Sequence, residues 1–233
     1  FLASGKSLSY IYSLPLFFDK HTKIDLQALV KVKDYNEFLE VVKHSEYKDI
    51  LEGFKTANGE DFNLPGIEGA LYSYLYEKLN KIIEANIHGI EKEDIKEIFN
   101  SFIDYSNFVR LLRIKRRKSS PDFAVINVGT LTKTQINDML EAETEDEIFD
   151  IMKTTKNGGK LNIIKYNYID QIPWKIVNLI CRRKLRASSS PSAVMLSYIF
   201  LMEIELSNII NIMEGIRYGI GKDEIKKLLI IKD

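Results

Sequence analysis

One short pattern recurs along this chain at helical spacing. The run from Asp34 to Ser45 lines up with the run from Thr144 to Thr155, placing Glu37 on Glu147, Phe38 on Ile148 and Val41 on Ile151. Upstream, Leu26, Leu29 and Val30 correspond to Ile136, Met139 and Leu140; downstream, Leu51 corresponds to Leu161. Ile225, Leu228 and Leu229 read as a third copy of the apolar triplet. A unit of this kind cannot bury its apolar face alone, so copies stack and share a core. The repeat predicts residues 26–51 and 136–161 to be the same pair of short helices. It points to a shape that partners hold rather than to a catalytic pocket.

Longer helices connect the short ones. Leu71, Leu75 and Leu79 fall on one helical face. A helix is expected from about Lys92 to Arg116 with Ile95, Ile98, Phe99, Phe102 and Ile103 on its buried stripe, and another from Pro191 to Arg217. Thr144 with Glu147 and Thr132 with Gln135 have the spacing of capping boxes, and Asp34 with Glu37 is the acidic equivalent. Turn chemistry stands at Asn58-Gly59, Leu64-Pro65-Gly66, Ser119-Ser120-Pro121, Asn157-Gly158-Gly159 and Ser188 to Pro191, and Pro15 should kink or end a first helix. Phe123 to Val128 has no strand to pair with and reads as an extended loop. The expected fold is all-α, a single helical domain with units at roughly 1–90, 91–190 and 191–233.

The long helices repeat as well. Ile103-Asp104-Tyr105-Ser106-Asn107-Phe108-Val109 matches Ile204-Glu205-Leu206-Ser207-Asn208-Ile209-Ile210. In each, an acid precedes an asparagine by three residues, so both share a face. Asp104, Asn107, Glu205 and Asn208 are expected to be structural, with the acids tying helices together and supporting the asparagines. Glu203 and Glu205 point to different faces, so they do not converge as paired catalytic carboxylates.

Charge narrows the function further. Lys plus Arg (33) equals Asp plus Glu (33), which argues against a dedicated nucleic-acid binder, where a basic excess is usual. His21, His44 and His88 show no metal-ligand spacing with each other or with Cys181. That single thiol cannot form an internal disulfide and is expected in the core. Gly5-Lys6-Ser7 echoes the end of a phosphate loop without the preceding glycines, and Asn157-Gly158-Gly159-Lys160 is a turn without strand-to-helix context. No catalytic residue, cofactor, metal or small-molecule substrate is expected. The run Ala193 to Met202 is broken by Glu203 and is too short to span a bilayer, which needs about 20 residues, so any membrane association is expected to be peripheral.

Two basic clusters end helices: Lys115, Arg116, Arg117 and Lys118, and Arg182, Arg183, Lys184 and Arg186. Cations at a helix C-terminus favour the macrodipole, but four in a row exceed what capping needs. They are the candidate partner-binding residues, suited to an acidic protein surface or anionic headgroups.

These residues resemble a known family, the C subunit (d in eukaryotes) of V-type and archaeal-type rotary ATPases. The likeness is closest in Pro191-Ser192-Ala193, Tyr198, Glu203 to Ile209, Gly219-Ile220 and Glu224 to Leu228. Ile103 to Phe108 with Leu112 to Lys115 resembles the internal counterpart, Val128 to Leu131 the glycine approach to the next short helix, and Leu39 to Tyr47 a recurring element of the family. The resemblance implies a funnel-like, all-helical adapter on the cytoplasmic face of the membrane. Such an adapter links the central stalk to the membrane rotor ring, transmits torque for proton or sodium transport, and neither binds nucleotide nor catalyses. Family members are typically longer by one copy of the unit. Two other readings are a helical-repeat scaffold for unrelated protein partners and a nucleic-acid binder acting through the basic clusters.

Overall fold

A computed structural model describes residues 22–55, 63–117 and 125–231. Gly5-Lys6-Ser7, Pro15, His21, Asn58-Gly59, Lys118 and Ser119-Ser120-Pro121 lie outside the described residues. The described residues are helical and contain no strand. Ten α-helices follow in order: α1 Leu26–Val30, α2 Tyr35–Val42, α3 Lys48–Glu52, α4 Leu64–Asn86, α5 Gly89–Arg117, α6 Lys133–Glu141, α7 Glu145–Thr154, α8 Ile172–Ala187, α9 Pro191–Arg217 and α10 Lys222–Leu228. Short 3-10 turns occupy Gly158–Asn162 and Ile169–Gln171. Two compact units result. Among the described residues the first holds 22–55 and 63–74, and the second 75–117 and 125–231; α4 runs through the boundary.

The paired short helices start by one device in both units. Asp34 Oδ1 accepts the Glu37 N–H at 2.9 Å, and Glu37 Oε2 accepts the Lys33 N–H at 2.8 Å. In the second copy Thr144 Oγ1 accepts the Glu147 N–H at 3.2 Å, and Glu147 Oε2 accepts the Glu143 N–H at 2.7 Å. The glutamate therefore reaches one residue further back than in a standard capping box, where it bonds the cap residue itself. Thr132 and Gln135 do form that standard box at the start of α6. Each such cap is worth about 1 kcal/mol.

In the second unit the core lies where α5 and α8 pack along each other, roofed by α6 and α7. Tyr105, Phe108, Leu112, Met139, Ile148, Met152, Ile176 and Ile180 are each at most 1% exposed. Full burial of such a side chain contributes about 1.5–3 kcal/mol. Phe108 meets Phe149 edge-on at 4.9 Å between centroids, and Phe102 meets Trp174 at 5.0 Å. Cys181 is fully buried, and burial pushes its thiol up to about 11, so it stays protonated. In the first unit Tyr35, Val42 and Leu51 are the buried apolar residues, and the Tyr35 hydroxyl donates to the Leu51 carbonyl at 2.7 Å.

On α4, Tyr76 and Ile83 are the buried apolar residues, and Leu75 is 45% exposed. Two expectations need correction. The triplet Ile225, Leu228, Leu229 is not a third copy. Its helix α10 precedes the segment that bonds to Asn208, whereas α6 follows the corresponding segment bonded to Asn107. The apolar run beginning at Ala193 does not end at Glu203. It continues through α9, whose most apolar stretch has mean hydropathy 1.6, so by length and composition this helix is able to cross a membrane. Glu203 breaks the run of letters but occupies only one point on the helix surface.

Candidate functional site

The asparagines sit where the repeat places them. Asn107, buried on α5, donates Nδ2 to the Ile126 carbonyl at 3.0 Å, and its Oδ1 accepts the Ile126 N–H at 2.9 Å. Asn208, half-buried on α9, does the same to Ile230 at 2.9 and 2.8 Å. A primary amide carries one acceptor and one donor side by side, so it mimics a neighbouring strand and holds an extended segment against the helix.

Asp104 is fully buried on α5 and acts as the anchor of the next turn. Its Oδ1 accepts the Thr130 and Leu131 N–H groups at 2.7 and 3.3 Å. Its Oδ2 accepts the Thr130 hydroxyl at 2.5 Å and Asn157 Nδ2 at 2.6 Å. Gly129 makes this approach possible. Its φ is +115°, and a Cβ there would stand 2.4 Å from Asp104 Oδ1. Asn157 extends the network: its Oδ1 accepts Lys160 Nζ at 2.8 Å, and its carbonyl accepts the Tyr105 hydroxyl at 2.7 Å. Burial pushes the Tyr105 hydroxyl well above its ordinary range.

Glu205 does not take the role expected of it. It is exposed and makes no hydrogen bond or ion pair among the described residues. Asp104 receives its amides from residues four and five beyond Ile126, on the segment that Asn107 holds. Asn157 was not foreseen. Its signal was the Asn-Gly-Gly turn itself: a Cβ on Gly158 would stand 1.9 Å from the Met152 carbonyl, so the chain turns tightly enough there to bring Asn157 under α5.

The basic residues are largely engaged within the protein. Arg116 forms a two-pronged pair with Glu145 on α7 at 2.9 and 2.8 Å, and Lys115 Nζ donates to the Ala142 carbonyl. Arg117 ends α5, and Lys118 lies outside the described residues. On α8, Lys184 pairs with Asp94 and, at 2.8 Å, with Glu97; Arg183 reaches Glu97 at 2.5 Å. Ser188 donates to Asp94 at 2.5 Å. Burial disfavours charge on Lys184, but its two carboxylate partners outweigh that and hold the ammonium above its ordinary value of 10.5. Burial likewise opposes ionisation of Asp94 and Glu97, and hydrogen bonds from Lys184, Ser188 and Arg183 overcome it, leaving both below their ordinary values. Arg182 Nε donates to Asn178 Oδ1 at 2.6 Å and Arg186 Nε to the Arg182 carbonyl at 3.0 Å; both side chains remain exposed. Arg113 and Arg116 line an open cleft with Phe149, Tyr166 and Tyr168, where Arg113 is paired to Asp170 at 2.6 Å. Among the described residues no group of three or more His, Cys, Asp or Glu is placed to hold a metal ion.

Comparison with known proteins sets this geometry in context. The family model described as ATP synthase (C/AC39) subunit matches residues 2–228. The chain is 25% identical over 214 residues to the C subunit of the A-type ATP synthase of Pyrococcus abyssi (strain GE5 / Orsay). That likeness covers 88% of this chain and 57% of the relative, so the chain spans little more than half of the curated relative's length. No solved structure matches it. An all-helical chain with paired short helices slung between long ones, matched by that family model from residue 2 to residue 228, belongs to the ATP synthase (C/AC39) subunit family.

Proposed function

We propose that this chain is a non-catalytic adapter of a V/A-type ATPase or ATP synthase, peripheral to the membrane, that links the central stalk to the membrane rotor ring and carries torque for proton or sodium transport. The observation that carries this reading is the family match along nearly the whole chain. The architecture suits it. Torque needs elements that do not shear, and α5 and α8 are long helices locked by a close-packed core and by the Lys184–Asp94–Glu97 cluster. In this proposal one of the two partners is met at the two basic helix ends, where Arg116 on α5 and Arg182, Arg183 and Arg186 on α8 are exposed. Arg182 and Arg186, which are exposed and pair with no carboxylate among the described residues, supply the steering charge.

Removing this chain from the assembled complex tests the proposal. Hydrolysis by the detached catalytic head should persist, while ATP-driven ion uptake into membrane vesicles should be lost and return when the chain is added back. Vesicles that pump at the normal rate without the chain would overturn the adapter role. The double reversal Arg182→Glu/Arg186→Glu should weaken reassembly and make it more sensitive to salt. Unchanged reassembly would remove the basic α8 end from the interface.

A further inference from the structure

We propose that the cleft at the end of α5 is a docking site for an acidic segment of a partner protein, one that sets a carboxylate beside an aromatic or aliphatic side chain. This deepens the adapter reading at one of its basic helix ends and rests on that reading only for which protein supplies the segment.

The cleft lies within the second unit, between the last turns of α5, the middle of α7 and residues 166–170 ahead of α8. Phe149, Tyr166, Tyr168 and Ile169 give it apolar walls, and Arg113 and Arg116 give it charge. Its volume of about 500 Å³ is on the scale of sites that enclose a ligand. The walls are fixed from within the protein. Phe149 packs edge-on against buried Phe108. Buried Gln171 accepts the Asn167 and Tyr168 N–H groups on Oε1 at 2.9 and 3.2 Å, and its Nε2 donates to the Lys227 carbonyl at 2.7 Å. A cleft formed beforehand costs its ligand little ordering. Tyr168 is 44% exposed, so apolar surface stands ready for an incoming side chain.

The polar balance of the cleft tips towards donors. Arg113 and Arg116 stand three residues apart on α5 and so share a face. Arg113 gives Nε and Nη2 to a single oxygen of Asp170, Oδ1, at 3.1 and 2.6 Å. Arg116 gives Nε and Nη2 to the two oxygens of Glu145. A guanidinium has five N–H groups, so three on each arginine have no hydrogen-bond partner among the described residues. Both pairs are solvent-exposed and hold weakly, so a further carboxylate joins or displaces them readily. Burial pushes the Tyr166 hydroxyl up, so it stays protonated and adds another donor. A carboxylate entering here finds charge-assisted hydrogen bonds. Asp170 selects a peptide over a phosphate. Its Oδ2 accepts no hydrogen bond among the described residues and suits a backbone N–H beside the incoming acid. A phosphate group carries up to about two negative charges and would set them against Asp170 and Glu145.

Fluorescence anisotropy on the intact 233-residue chain tests this with a fluorescein-labelled nonapeptide that alternates glutamate and phenylalanine. The expected result is saturable binding, at least tenfold weaker when glutamine replaces every glutamate or serine every phenylalanine. Arg113→Gln/Tyr168→Ala should weaken it at least tenfold too. Both side chains are exposed, so that variant should keep its helical circular dichroism. Lys222→Gln, which removes an exposed cation from α10, should leave binding unchanged. No saturable binding, equal binding of the glutamine peptide, or binding that survives the double variant would overturn the proposal. So would displacement of the peptide by inorganic phosphate at lower concentration than by the unlabelled peptide, which would assign the cleft to a phosphate ligand. Peptide binding by a chain that vesicles do not need for pumping would sink the adapter reading alone. Pumping that depends on a chain indifferent to the peptide would sink the cleft alone.

Discussion

Asn107 does with a side chain what a neighbouring strand would do with its backbone. Ile126 is 2% exposed, and both of its peptide groups depend on that one amide. Asn107→Leu keeps the volume and leaves a buried N–H and a buried carbonyl unpaired. Each unsatisfied group costs about 1–3 kcal/mol, so the variant should lose about 2–6 kcal/mol in urea unfolding. Asn208→Leu should cost less, about 1 kcal/mol, because Asn208 and Ile230 are half-buried and water can replace part of the bonding. Equal losses at the two sites would mean that burial is not what separates them. Asp104 makes a related case. An amide in its place turns an acceptor oxygen into a donor facing donors, so Asp104→Asn should destabilise by about 3 kcal/mol without any change in volume.

The α5–α8 join gives a pH dependence at the scale of elements. Asp94 and Glu97 have folded pKa values below their ordinary values of 3.8 and 4.5. Their stabilisation is therefore fully present above about pH 4.5 and is lost as pH falls through the lower folded values. Lys184 is raised above 10.5, so its contribution is complete below that pH and is lost as pH rises through the higher folded value. The cluster should hold α5 to α8 across the window between, and Tm should fall on both sides of it. Lys184→Met should flatten the acid limb, and at neutral pH it should cost about 2–3 kcal/mol, somewhat under the 3–5 kcal/mol typical of a fully buried broken pair. An acid limb as steep as in the parent protein would mean that other carboxylates govern it.

Much of this level was legible beforehand. Periodicity gave α5 to within a few residues and α9 from Pro191 to Arg217, because Pro191 at a helix start and the Ser190 cap are local signals. The repeated short helices were legible because their caps recur. What the letters did not carry was pairing across distance. Lys184 meets Asp94 over ninety residues, and Arg116 finds Glu145 on another helix. A cluster of like charges therefore reads as a free patch until tertiary structure shows its partners. Glu205 differs from Asp104 for the converse reason: its motif matches, but the donors that give Asp104 its role come from another segment.

Across the whole molecule, local stability should be uneven. Within the first unit, the buried apolar residues of the short helices are Tyr35, Val42 and Leu51, and α1 buries none of its residues. The second unit holds a contiguous cluster from Ile98 to Ile204, with α5 and α8 at its centre. Opening free energy tracks the apolar surface that an opening exposes, so amides in α1 to α3 should exchange through small local openings. Amides of Tyr105, Phe108, Leu112, Ile176 and Ile180 should exchange only on unfolding of the whole second unit. Native-state hydrogen exchange should therefore show protection in 26–52 lower by several orders of magnitude than in 98–112 and 172–181. The contrast bears on the proposed adapter role, since a part that carried torque would have to stay closed under load while a docking part would gain from compliance. Uniform protection across both segments would mean that the two units unfold as one. Residues 26–52 would then draw their stability from outside their own small core.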